Sequence, residues 1–166
     1  MTTTLLDDAM AHHSWATDRL IGECATLAPE QLTTPAPGTY GSILDTFRHF
    51  VSTDCWYLTF FRDEPQRIEE GSEADLDELR LAITRNGKEW MELLASGLDG
   101  EADVVEHGDG WNFHSPAGFR LAQVVQHGTD HRSQICTALT SLGVEPPEID
   151  LWAFGEATGR TRPEYL

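Results

Sequence analysis

The sequence predicts an all-α fold, a four-helix bundle. Three observations point there. Apolar residues recur at three- and four-residue steps through four separate segments. Prolines and glycines gather between those segments. The strand-like pattern is confined to one short irregular stretch. Each segment has one apolar face, which a lone helix cannot bury, so mutual packing is the economical solution.

The first segment covers residues 4–28, with Leu5, Ala9, Ala16, Leu20 and Leu27 on one stripe. "APEQLTTPAPGTYGS" follows; its three prolines and two glycines break the helix and make a connection long enough for a crossover. The second segment starts at Ser42, a good N-cap with Asp45 three residues on, and ends before Pro65. Ile43, Leu44, Phe47, Val51, Cys55 and Leu58 form its stripe. The third covers residues 74–96, with Leu76, Leu79, Ile83, Trp90, Leu93 and Leu94 on a face and Gly87 as a local weakness. Next, "VVEH" and "WNFH" flank "GDG", a candidate short hairpin between the third and fourth helices. The fourth segment covers residues 117–142, with Leu121, Val124, Val125, Gly128, Ile135, Leu139 and Leu142 on its stripe. One short helical candidate remains near residues 151–157.

The 166 residues suit a single domain, 1–166, with one core. No apolar run reaches the ~20 residues of a membrane span. The start, "MTTTLLDDAMAHH", lacks the basic and long apolar regions of a signal peptide, so a cytoplasmic location is expected. Cys24, Cys55 and Cys136 are odd in number and far apart, which argues against a disulfide framework and fits a reducing compartment. Buried inert thiols are the expectation for them. Twenty-eight acidic residues against 11 basic ones leave a net charge of −17. The basic residues are scattered, which disfavours nucleic-acid and anionic-membrane partners.

The fourth segment carries "HGTDH". At ~100° per residue, His131 lies about 20° from Val124, within the apolar stripe, and His127 about 60° away, at its edge. Two imidazoles one turn apart can chelate a single ion. Core histidines that merely hydrogen-bond have the same spacing, and no glutamate follows the first histidine as in the zincin proteases. A third ligand would come from a facing helix, and His49 is the natural candidate. His49 lies about 200° from Phe47, opposite the main stripe, with Trp56 on the same side. Periodicity alone leaves it open between ligand and solvated side chain. His13 reads as a core histidine. His107 and His114 fall in the irregular stretch and read as exposed. Asp45, Asp54 and Asp130 read as surface charges.

"HHSWATDRL", "GSILDTFRHFVSTDCWYL", "VVQHGTDHRSQI" and "DLWAFGEATGR" together resemble the DinB-like family, the DinB/YfiT-like metalloenzymes, over nearly the whole chain. Each piece is weak; the order of a histidine and then HxxxHR-x-Q within four helices is fairly specific. The resemblance implies a four-helix bundle of up-down-down-up topology and a divalent metal held by His49, His127 and His131. It makes Arg132 and Gln134 supporting residues and Trp15 a packing residue. It leaves "DLWAFGEATGR" without a chemical role.

Three neutral imidazoles leave coordination positions open, the catalytic rather than the structural arrangement of zinc. Zinc or nickel is the leading expectation, with iron or manganese also suited to imidazole ligands. By resemblance, the function is a metal-dependent S-transferase that activates a low-molecular-weight thiol toward an electrophile. The alternatives are a metal-dependent hydrolase and a non-catalytic metal- or ligand-binding stress protein. The resemblance, with Trp56 and Tyr57 beside a broad apolar second segment, also suggests a homodimer.

Overall fold

The computed structural model describes residues 5–164. Within them are helices α1 (Leu5–Cys24), α2 (Pro29–Thr33), α3 (Ile43–Thr59), α4 (Leu76–Ala95), α5 (Ala117–Ser141) and α6 (Leu151–Thr158). Strands β1 (Asp103–Gly108) and β2 (Trp111–Pro116) form an antiparallel hairpin between α4 and α5. The fold is mostly helical, as the periodicity predicts. Thr4 and the side chain of Leu5, assigned above to the first helix, lie outside the described residues.

Local chemistry sets the helix starts. Ser42 Oγ accepts from the Asp45 N–H (3.1 Å), and Asp45 Oδ2 accepts from the Ser42 N–H (3.1 Å), the reciprocal cap expected from the sequence. Asp75 and Glu78 do the same for α4, so the helix begins after Asp75 rather than at Ala74. Asp150 caps α6 through the Ala153 N–H (2.8 Å). The connection after α1 contains α2, a turn the proline content hides. Pro29 is tolerated at a first-turn position, and Gln31 Oε1 accepts from the Ala28 N–H (3.0 Å). The hairpin turns tightly at Asp109–Gly110, where Gly110 has φ +76°.

The core has two apolar clusters. One gathers Leu20, Ile21, Phe47, Phe50, Ile83 and Leu139. The other gathers Met10, Leu58, Trp90, Leu121 and Val124. Each long helix passes from one to the other through a buried polar residue: His13 on α1, Asp54 on α3, Asn86 on α4 and Arg132 on α5. This layer corrects the sequence reading of Asp54 as a surface charge; the residue is 2% exposed. It accepts from Trp90 Nε1 (2.7 Å) and Asn86 Nδ2 (3.3 Å). Its helix packs against both α4 and α5, so α3 has more than one buried side. The stripe of α1 is likewise broader than predicted, since Met10, His13, Thr17, Ile21 and Cys24 are all buried. At the other end of α5, Leu142 is exposed as the chain turns away.

Candidate metal centre

Three helix positions converge. α3 brings His49 against His127 and His131 of α5, with ring centroids 5.2 and 4.9 Å away. The two α5 rings are 4.4 Å apart, and their Nε2 atoms approach to 3.1 Å. One nitrogen from each of the three lies within 4.8 Å of the others, so the group could hold a metal ion. Nitrogens about 2.1 Å from a tetrahedral ion stand roughly 3.4 Å apart. The α5 pair, at 3.1 Å, is already near that spacing.

The opposite edges of two rings are held. His131 Nδ1 faces Gln134 Oε1 at 2.9 Å, which places the proton on Nδ1 and the lone pair on Nε2. His49 Nδ1 faces Glu70 Oε1 at 3.3 Å, and Ser52 Oγ donates to the other Glu70 oxygen (2.8 Å). A carboxylate or amide behind each imidazole is the usual support of a metal-binding histidine, because it fixes the tautomer and raises basicity. Tyr40 stacks on His49 at 3.9 Å, and the Phe50 ring lies parallel to His131 at 6.1 Å.

The electrostatics favour neutral donors. Burial, then His131 and His49, push His127 down to about 4. Burial lowers His131 too, against the opposing pull of Gln134. Neutral imidazoles offer lone pairs without displacing protons at neutral pH.

Behind the centre, Arg132 is 2% exposed and donates from Nη1 to His13 Nδ1 (3.0 Å) and Thr17 Oγ1 (3.2 Å). That donor leaves the ring proton of His13 on Nε2, which points at Asp54 Oδ2 from 3.6 Å. At that distance the contact is too long for a hydrogen bond. Burial pushes the Arg132 guanidinium down to about 10, with Asp54 opposing the fall, so it stays cationic at neutral pH. Gly128 makes room for this arrangement: a Cβ there would sit 2.3 Å from His13 Cε1.

His13 is buried as the wheel predicts, while His107 and His114 are exposed on the hairpin and bond Asn112 and Asp103. Trp15 packs against Phe154 of α6, and His12 reaches the Ile149 carbonyl (2.7 Å), so "DLWAFGEATGR" docks on α1. Asp45 and Asp130 are exposed, as expected. Sequence reasoning misses Glu70 and Tyr40. Both lie in irregular connections and meet His49 only through the fold, so periodicity carries no signal for them.

No curated protein matches the chain. Among protein families, the model of the DinB family matches residues 1–164. That span takes in the four long helices, the hairpin and all three converging histidines, and the chain belongs to the DinB family.

Proposed function

We propose that this protein is a divalent-metal-dependent S-transferase for a low-molecular-weight thiol, working as one domain over residues 1–166 with His49, His127 and His131 as ligands. The observation that carries the reading is the convergence of three imidazoles, two of them braced from behind by Glu70 and Gln134. Zinc or nickel suits three neutral nitrogens, with iron or manganese as alternatives. When bound, the ion supplies a Lewis acid that lowers the pKa of a thiol from its ordinary ~8.5 into the neutral range.

The remaining residues bind and orient. Glu70 and Gln134 hold the imidazoles in their donor tautomers, Tyr40 covers one face of His49, and burial keeps His127 unprotonated. The nearby carboxylates are engaged elsewhere. Asp45 caps α3, Asp54 serves the buried layer, Asp130 bonds Gln126, and both Glu70 oxygens have partners. Hydrolysis at a metal centre is commonly assisted by a general base beside the ion, which a thiol already held as thiolate does not require. This favours thiol transfer over hydrolysis.

An up-down-down-up bundle is part of the reading. Arg48 beside Ala74 and Asp54 beside Trp90 support α3 and α4 running the same way. Arg120 beside Phe60 and His131 beside His49 support α5 running against α3. Asp18 beside Arg80 and Ser14 beside Gly87 support α1 running against α4.

The test is elemental analysis of untagged protein purified without chelator. Near-stoichiometric metal should fall sharply in His49→Ala, His127→Ala and His131→Ala and persist in His107→Ala and His114→Ala. The loaded protein should then accelerate displacement of chloride from chlorodinitrobenzene by a thiol, forming the aryl thioether. Metal content unchanged in all three ligand variants removes the site. Metal without any thiol effect leaves a binding protein.

A further inference from the structure

Beside His49 runs a cleft of about 250 Å³ walled by Ser52, Thr53, Trp56, Gln66 and Glu70. Ser52, Thr53 and Trp56 follow His49 by three, four and seven positions on α3, so the cleft continues the helix face that carries the histidine. Glu70 joins the two places: its carboxylate touches His49 and also lines the cleft. The loop that presents Glu70 is held down, because Arg67 reaches Asn86 (2.9 Å) and Glu89 of α4.

The chemistry of the wall is one-sided. Gln66 donates both N–H groups, to the carbonyls of Ser52 (3.0 Å) and Ile68 (2.7 Å), which leaves its Oε1 as an acceptor. Thr53 donates its hydroxyl to the His49 carbonyl (2.9 Å), and Ser52 shares its own between His49 and Glu70. What these groups still offer an incoming molecule is lone pairs. Trp56 adds a half-buried indole, packed edge-on against Phe60. The lining contains no lysine or arginine. A carboxylate, an amide oxygen and a hydroxyl around an indole face make a receptor for an organic cation. An anion would face the Glu70 carboxylate with the Trp56 indole N–H as its one side-chain donor from the wall, and an apolar group would desolvate Glu70 without replacing its hydrogen bonds.

We propose that this cleft binds an organic ammonium group, so that a molecule reacting at the three-histidine centre is an amine, an aminothiol being the simplest case. The link to reaction rests on the transferase reading above; ammonium binding by the cleft does not need the metal.

The first experiment titrates n-butylammonium into the metal-free full-length chain, followed by the backbone amide signals of Thr53 and Gln66 in the cleft wall in ¹⁵N-resolved spectra. Saturable binding is expected, weakened about ten-fold in Trp56→Leu and in Glu70→Gln, with butanol about ten-fold weaker than butylammonium. Butanol matching butylammonium, no saturable shift, or wild-type affinity in Trp56→Leu overturns the proposal. Elemental analysis of Trp56→Leu should show wild-type metal content, which separates loss of the cleft from loss of the centre. In zinc-loaded protein, cysteamine should bind about ten-fold more tightly than mercaptoethanol, and Trp56→Leu should erase the difference. Equal binding of the two thiols by wild-type protein overturns the link between cleft and centre. Butylammonium binding by a chain that retains no metal upholds the cleft and sinks the transferase reading alone.

Discussion

Removing the Asp54 carboxylate should damage the fold more than any other single acidic substitution in the chain. Three groups depend on it: Trp90 Nε1 at 2.7 Å, Asn86 Nδ2 at 3.3 Å and the Nε2 side of His13 at 3.6 Å. None can turn to water, because Trp90 and Asn86 are 0% exposed and His13 is 1% exposed. Asp54 is also the negative charge that balances the buried Arg132 through His13. Deleting one partner of a buried ionic group costs about 3–5 kcal/mol, since the other charge is left uncompensated. Asp54→Ala should therefore destabilise by ~3–5 kcal/mol. Asp54→Asn keeps the acceptor for Trp90 and loses the charge, so about half that loss is expected. With a urea m-value of about 2 kcal/mol/M, the Asp54→Ala midpoint should fall by roughly 2 M at unchanged slope. A shift below about 0.5 M would refute the claim that the polar layer is an electrostatic unit, since it corresponds to only ~1 kcal/mol.

Glu70→Ala should weaken metal affinity by about 10–100-fold through loss of the group behind His49, measured by competition with a chromogenic chelator; wild-type affinity would show that Glu70 does not support the ligand. Gly128→Ala should cost ~1–3 kcal/mol in thermal or urea unfolding, because the new Cβ meets His13 and Arg132 and the buried ring has nowhere to move; a neutral effect would contradict that close packing. The metal-free protein should lose stability as pH falls. His127 and His131 titrate below 6.5 in the fold, His127 near 4, whereas an unfolded histidine takes its proton at about 6.5. Between those values the unfolded chain binds more protons, so stability declines on acidification through this window and this contribution is flat above it. Urea midpoints across the window should show a shallower slope in His127→Ala than in the wild type, and identical slopes would contradict the assignment.

Helix periodicity, capping residues and turn residues are local properties, which is why the four long helices, the α3 cap and the hairpin are legible in the sequence. The HxxxH pair is legible for the same reason: one helix positions both rings, and the turn of that helix sets their spacing. His49 cannot be placed from its own helix. A wheel reports angle from the apolar stripe, and α3 is covered on more than one side. Asp54 reads wrongly as a surface charge because hydropathy treats a carboxylate as solvent-seeking, while its donors come from α4 and its counter-charge from α5. Glu70 and Tyr40 sit in connections without a period and reach His49 from elsewhere in the chain. The sequence by itself determined the helices and the α5 half of the centre, through short-range hydrogen bonding and side-chain spacing. Tertiary structure decided which way the His49 imidazole turns, which the wheel left open and only the family resemblance named, together with the groups behind it and the buried charge layer, because each depends on residues far apart in the chain being packed into contact.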